Sequence, residues 1–177
     1  GRHGRCCRFD ENDARALGRT ASGVRGINID DDDEVIGMIA YDPTAEDAQA
    51  HSLLVVSEHG YGKRSDFDEY RKTNRGGKGV KTLNITEKTG ELVAMKNVTD
   101  ENDLMIINRS GLTIRMAVSD IKVAGRATQG VRLINIKEGD SIAAISAVNK
   151  TEEDVPQQPA EVPSEDQASE PQNQTNE

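Results

Sequence analysis

The sequence predicts an all-β protein built from repeated, propeller-like units. Three lines of the chain nearly repeat one another: GRTASGVRGINI at 18–29, NRGGKGVKTLNI at 74–85 and GRATQGVRLINI at 125–136. Their shared glycine recurs after 56 and then 51 positions, and a period of about 50 residues is typical of stacked units or propeller blades. Short apolar runs separated by Gly, Asn and Asp complete the pattern, because these residues form hairpin turns.

Each repeat is predicted to contribute about four short strands. Stretches such as VRGINI and VKTLNI alternate apolar and polar residues, which is the period of a strand. No window sustains a 3.6-residue pattern over three turns, so long helices are not expected. The predicted strands cover 24–29, 35–40, 52–57, 80–86, 91–96, 103–108, 112–117, 131–136 and 141–147.

The segments between the strands also follow the repeat. Residues 65–70 and 117–121 are predicted to connect one unit to the next, and they end in the apolar residues Tyr70 and Ile121. Ala14 stands at the matching place in the first copy. The first period is five residues longer than the second, and these extra residues lie in the polar stretch 41–51. A loop accepts such insertions at little energetic cost.

Two regions are predicted, the repeats at 1–150 and a disordered acidic tail at 151–177. The tail contains four of the five prolines, eight acidic residues and no Lys or Arg, so it cannot bury enough apolar surface to offset its ordering entropy. The rest of the chain has 22 basic and 23 acidic residues. The sequence pI near 4.9 therefore largely describes the tail and does not exclude a nucleic-acid partner.

Patterns for catalysis, metal binding and membrane insertion are not found. The three histidines occupy unrelated repeat positions, and the adjacent Cys6 and Cys7 lack the spacing of a metal-binding pair. No apolar stretch of about 18 residues is present. We therefore expect no catalytic residue, no metal site, no membrane contact and a reducing, cytoplasmic environment.

Basic residues recur at fixed positions of every repeat. Arg19, Arg75 and Arg126 align, and another basic residue follows each repeated glycine by two positions. A single arginine would be explained by an acidic partner or a loop cap, whereas three copies favour a curved row of cations. Without accompanying aromatic residues, the predicted ligand is the phosphate backbone of a duplex. The candidate contacts are Arg19, Arg25, Arg64, Arg75, Lys78, Lys81, Arg115, Arg126 and Arg132.

Three segments closely resemble the last three repeats of the C-terminal domain family of DNA gyrase A. They are GRTASGVRGI, HGYGKRSDFDEYRKTNRGGKGV and GRATQGVRLI. The resemblance covers 1–150 in order, and it implies about three blades of a six-bladed β-pinwheel. The family's signature box, Gln-basic-Arg-Gly-Gly-Lys-Gly, is matched only in its last five positions, at 75–79. This is therefore a later, degenerate box, and the complete one is expected upstream.

The resemblance implies a DNA-wrapping function within a larger enzyme. The family wraps double-stranded DNA around a basic rim and so introduces negative supercoils using ATP. ATP and Mg²⁺ would be used through the partner protein, gyrase B, in an A2B2 heterotetramer, with the catalytic residues outside this chain and no cofactor within it. Two alternatives stay open: the C-terminal domain of the A protein of topoisomerase IV, and a non-enzymatic β-propeller scaffold that binds other proteins.

Overall fold

The computed structural model describes residues 1–150, and the tail predicted at 151–177 lies outside the described residues. The described chain confirms the all-β prediction. Its strands are β1 (Arg5–Cys6), β2 (Ser52–Ser57), β3 (Tyr61–Ser65), β4 (Val80–Lys81), β5 (Leu92–Val98), β6 (Asn102–Asn108), β7 (Thr113–Ala117), β8 (Val131–Arg132) and β9 (Ile142–Asn149). Its helices are short 3-10 turns at Glu11–Asp13, Ala48–Ala50, Phe67–Glu69 and Val118–Asp120.

The strands form three antiparallel sheets that interlock along the chain. The central sheet has the strand order β5–β2–β3–β8, the next has the order β7–β6–β9, and the first consists of β1 paired with β4. The central sheet thus combines one hairpin, β2–β3, with strands from further along the chain. Each repeat therefore completes a sheet begun by an earlier one, and the units are not independent hairpins.

The sequence repeat is also seen in how the strands pair, because equivalent residues lie opposite each other in two sheets. In the first sheet Arg5 lies opposite Lys81, and in the central sheet Tyr61 lies opposite Arg132. The same offsets of 56 and 51 positions that relate the glycines relate these pairs. The short strand after each repeated glycine therefore pairs with the preceding repeat in the same way both times.

Strand β2 is buried on both faces, which explains its continuous apolar run. Leu53 and Val55 belong to one hydrophobic cluster, while Leu54 and Val56 belong to another. Successive side chains of a strand point to opposite faces, so both faces of this sheet are covered by neighbouring elements. This packing is the stacking that the repeat predicted.

Two predicted strands, 24–29 and 35–40, are not formed. The equivalent residues of the second repeat, in β4 and β5, pair with β1 and β2 of the preceding repeat. Among the described residues no strand precedes β1, so the first repeat has no corresponding partner. Ile36 and Ile39 still pack beside the cluster that contains Leu53, so the apolar pattern of 35–40 correctly indicated burial.

Strand lengths were predicted less well than strand positions. The strands expected at 80–86 and 131–136 are limited to the two-residue strands β4 and β8. The segment of β3, which the turn signals around Gly60 concealed, forms a full strand between β2 and β8. A ladder exists only where a partner strand lies alongside, and that condition is not visible in a local pattern.

The predicted connectors are confirmed. They form the 3-10 helices Phe67–Glu69 and Val118–Asp120, and Glu11–Asp13 occupies the equivalent place in the first repeat. The residue after each turn donates its backbone N–H back to the start of that turn. Tyr70 and Ile121, which end two of the connectors, are buried and fix them to the core.

Candidate nucleic-acid interface

Each repeated line, here called a box (residues 18–29, 74–85 and 125–136), turns at a glycine with the same conformation. Gly23, Gly79 and Gly130 have φ values of 79°, 69° and 77°, which L residues with side chains rarely adopt. At Gly130 an added Cβ would also lie 2.5 Å from the carbonyl oxygen of Gly62. Glycine is therefore required there for both conformation and close approach to the preceding repeat.

The basic residue two positions after this glycine is held in the same way in all three boxes. Its side chain donates a hydrogen bond to the side-chain oxygen of an asparagine three residues later. The three side chains are exposed, so the bond orients a cation toward solvent without neutralising it. The pairs are Arg25 with Asn28 at 3.4 Å, Lys81 with Asn84 at 3.3 Å and Arg132 with Asn135 at 3.2 Å.

Two of the three box arginines join neighbouring boxes, and the third, Arg19, is exposed. Arg75 donates from Nη1 to the backbone carbonyl of Arg25 at 2.6 Å, and Arg126 donates from Nη1 to the carbonyl of Lys81 at 3.0 Å. Arg75 also donates from Nε to the carbonyl of Asp13 at 3.1 Å. Each guanidinium thus bonds the backbone beside the exposed cation of the preceding box.

Backbone hydrogen bonds connect the same boxes. The amide of Asn28 donates to the carbonyl of Gly77 at 2.9 Å, and the amide of Asn84 donates to the carbonyl of Thr128 at 3.0 Å. Both contacts occupy equivalent positions of the repeat. The three boxes therefore lie next to one another in sequence order, and the structure brings together the cations that they carry.

Residues beside the boxes add cations that the sequence analysis missed. Arg5 donates from Nε to the carbonyl of Lys78 at 2.9 Å, and from Nη2 to that of Gly79 at 3.0 Å. Arg5 has no arginine at the equivalent position of the next repeat, which is Tyr61, so periodicity gave no signal for it. Lys78 itself is exposed at the surface of the second box.

Tyr61 supports the exposed cation of the third box. Its hydroxyl accepts hydrogen bonds from Arg132 Nε at 3.2 Å and Nη2 at 2.8 Å, and these bonds lower the pKa of the Tyr61 phenol. The Lys88 ammonium lies 5.5 Å from the centre of the same ring. A cleft of about 280 Å³ is lined by these three residues, by Lys137 and by the acidic residues Glu138 and Asp140. Two cations therefore lie beside the Tyr61 phenol, in a cleft of mixed charge.

Lys63 contacts the start of the third box from the protein interior. Its side chain is buried, and the amine donates to the carbonyl of Gly125 at 2.7 Å and to the hydroxyl of Ser65 at 2.9 Å. Burial lowers the pKa of Lys63 to about 8. In the first repeat the thiol of Cys7 lies 3.9 Å from the carbonyl of Asn74 at the equivalent place. The backbone before Arg75 and before Arg126 is thus contacted by the preceding repeat.

Two of the predicted DNA-contacting arginines, Arg64 and Arg115, make hydrogen bonds within the protein. Arg64, whose side chain is 8% exposed, donates from Nε to the carbonyl of Ile121 at 2.8 Å and forms an ion pair with Asp100. Arg115 donates from Nε to the carboxylate of Asp103 at 2.7 Å. Phosphate contacts by these two arginines stay predictions. Arg64 has a second role that the sequence did not indicate, since it fastens a connector.

A second periodic set of cations was also missed. Arg15, Arg71 and Lys122 each precede the box arginine by four residues, and all three are exposed. The repeat offsets that aligned the box arginines would have aligned these residues too. Elsewhere in the part of the chain that the structure describes, no cluster of three or more His, Cys, Asp or Glu could hold a metal, and no helix is long and apolar enough to cross a membrane.

Comparison with known proteins agrees with this geometry. A family model described as the DNA gyrase C-terminal domain, a beta-propeller, matches residues 1–42, 51–99 and 102–149. The DNA gyrase A protein of Staphylococcus epidermidis is 45% identical over 151 residues, or 85% of this chain. That of Staphylococcus aureus is 45% identical over 152 residues, or 86% of the chain. The chain spans only 16% and 17% of the length of these relatives.

Two solved structures share the fold at low sequence identity. The structure of a DNA gyrase A C-terminal domain superimposes with a TM-score of 0.73 at 22% identity, over 82% of this chain and 48% of that one. The C-terminal domain of a DNA topoisomerase IV gives a TM-score of 0.72 at 19% identity, over 84% of this chain and 45% of that one. On the family match and the identity to the staphylococcal proteins, the chain belongs to the family of DNA gyrase A C-terminal domains.

Proposed function

We propose that this chain binds duplex DNA along its row of boxes and wraps it as part of a DNA gyrase. The observation that carries the proposal is the linkage of three boxes in one register, with an exposed cation held at the same place in each. A cation that recurs at the same place in successive linked boxes can contact successive stretches of a phosphate backbone. Neutralising those phosphates releases counterions, which favours binding without regard to sequence.

The aromatic side chains support contact with the backbone over stacking on bases. Tyr41 and Phe67 stack on each other, with ring centroids 4.0 Å apart. Tyr70 is buried, and the Tyr61 ring lies against cations. Phe9 is half-buried. Since single-strand binding proteins rely on exposed aromatic platforms, these placements favour an intact duplex as the ligand.

The names of the relatives support a proposal for the activity of the whole protein. The DNA gyrase A proteins are the match on which we base the proposal of an ATP-hydrolysing topoisomerase that introduces negative supercoils in the cytoplasm. Its partner would be gyrase B in an A2B2 heterotetramer, which would bring ATP and Mg²⁺. This chain would contribute the DNA path, and the catalytic residues would lie elsewhere in the full-length protein.

The test is the salt dependence of duplex binding by the full-length protein. In a triple variant, Arg25→Gln, Lys81→Gln and Arg132→Gln remove the exposed cation of every box. If each contacts one phosphate, the slope of log K against log salt becomes shallower by about 2.7 in total, at roughly 0.9 per contact. The control removes three basic residues outside the boxes, Lys96, Arg109 and Lys150. Equal slopes for the wild type and the box variant would contradict the proposal.

Topoisomerase IV is the second candidate, since its C-terminal domain shares the fold with a similar TM-score. The regular boxes in three successive repeats favour gyrase. A supercoiling assay distinguishes the two candidates. The reconstituted enzyme is incubated with relaxed circular DNA and ATP, and the gyrase proposal requires negative supercoils to appear. A protein-binding scaffold would show no duplex binding at all.

A further inference from the structure

The exposed residues Arg15, Arg71 and Lys122, here called the outer row, repeat in step with the boxes. Their separations of 56 and 51 positions are those of the box arginines. A basic residue recurs at this place although the surrounding residues differ: ARALG, YRKTN and IKVAG. The outer row is therefore a feature of the repeat.

The backbone on both sides of Arg71 and Lys122 is fixed. The preceding residues Ala14, Tyr70 and Ile121 have extended φ and ψ values, and the last two are buried. Successive side chains of an extended chain point in opposite directions, so a residue after a buried anchor projects away from the core. The residue that follows is held as well, since Lys72 forms a parallel bridge with Arg8.

The outer row differs in its hydrogen bonds from two of the box arginines. Arg75 and Arg126 donate to backbone carbonyls of the preceding box. Within residues 1–150, no outer-row side chain makes a hydrogen bond or an ion pair. The neighbouring Lys72 is paired with Asp10, and this contact lowers the pKa of the Asp10 carboxyl to about 2. The outer-row cations thus keep all their donors available.

We propose that Arg15, Arg71 and Lys122 contact DNA phosphates directly, while the box arginines Arg75 and Arg126 mainly align successive boxes. The inference rests on the proposed function and adds a second line of contacts to it. The three outer-row cations recur with the boxes and make no side-chain hydrogen bond or ion pair within residues 1–150. Each is therefore available to a phosphate of a duplex that follows the row of boxes.

The experiment compares two sets of substitutions in the full-length protein. The outer-row variant carries Arg15→Gln, Arg71→Gln and Lys122→Gln. We expect weaker duplex binding, a salt slope shallower by about 2.7, and unchanged hydrogen exchange in 1–150. The box-arginine variant carries Arg75→Gln and Arg126→Gln. We expect faster exchange at the amides of Asn28 and Asn84, because the bonds that align the boxes are lost.

Specific outcomes would overturn the inference. The control again replaces Lys96, Arg109 and Lys150, and an equal change of slope in this control would mean that only net charge matters. An unchanged slope in the outer-row variant, with normal binding by the wild type, would refute the outer row and leave the proposed function intact. Faster exchange around Arg71 in the outer-row variant would assign the row a structural role. A full-length wild-type protein that binds no duplex would instead refute the proposed function.

Discussion

Gly130→Ala tests whether close approach between repeats holds the boxes in register. The substitution forces an L residue into φ of 77° and places a methyl group 2.5 Å from the carbonyl oxygen of Gly62. Gly23→Ala is its matched control. Gly23 has φ of 79° and the same position in the repeat, but an added Cβ meets nothing within 4 Å. The two variants share backbone strain and differ in the steric clash.

The difference in free energy follows from this comparison. A left-handed conformation costs an L residue about 1–2 kcal/mol, and this applies to both variants. In Gly130→Ala strand β8 must also move away from β3, which weakens about two backbone hydrogen bonds at roughly 0.5–1.5 kcal/mol each. The Gly130 variant should therefore lose about 1–3 kcal/mol more local stability than the Gly23 variant.

Hydrogen exchange in the full-length protein measures this difference. The reporters are the amide of Leu133, which donates to the carbonyl of Gly60, and the amide of Asn28, which donates to the carbonyl of Gly77. An additional 1–3 kcal/mol corresponds to about 5- to 150-fold faster exchange, since 1.4 kcal/mol is tenfold. For each variant, the exchange rate of its reporter amide is divided by the wild-type rate. This ratio should be larger, by that factor, for Leu133 in Gly130→Ala than for Asn28 in Gly23→Ala. Equal accelerations would refute the argument that contact with Gly62 sets the register.

Three further substitutions probe the supports of the boxes. Lys63→Ile, which copies the third repeat, removes both the buried charge and the hydrogen bond to the Gly125 carbonyl. Burial lowers the pKa of Lys63 to about 8 from 10.5, so between these values the unfolded chain binds more protons and wild-type stability rises with pH. The thermal midpoint of the variant relative to wild type should therefore be lower at pH 9.5 than at pH 7, and a difference that does not change with pH would exclude an effect of the lysine charge. Arg64→Ala should cost about 1–3 kcal/mol by leaving the Ile121 carbonyl unpaired, which exchange at the third connector measures. Loss of DNA affinity with no loss of stability would instead indicate that Arg64 acts as a phosphate contact. Arg132→Gln should raise the pKa of Tyr61, because hydrogen bonds from Arg132 lower it in the wild type. NMR titration of labelled tyrosine measures this pKa, and an unchanged value would contradict the prediction.

The sequence alone predicted the features that are encoded locally and repeated. Gly23, Gly79 and Gly130 were expected to be equivalent, and their φ values agree within 10°. Short apolar runs predicted β2, β5, β6, β7 and β9, and the apolar ends of 65–70 and 117–121 predicted connectors. These inferences succeeded because turn conformation and burial depend on residue type at a given place in the chain.

The tertiary structure decided which segments pair and which cations remain available. The predicted strand at 24–29 lacks a partner, whereas the equivalent Val80–Lys81 pairs with a strand about 75 residues earlier. Arg75 and Arg126 were predicted as phosphate contacts, and only the structure shows that both also donate to the preceding box. Arg71 showed the reverse, since its place in the repeat is visible in the sequence but its lack of a bonded neighbour within 1–150 is not. Both outcomes depend on contacts between residues far apart in sequence, and a local pattern contains the residue types but not the partners that satisfy them.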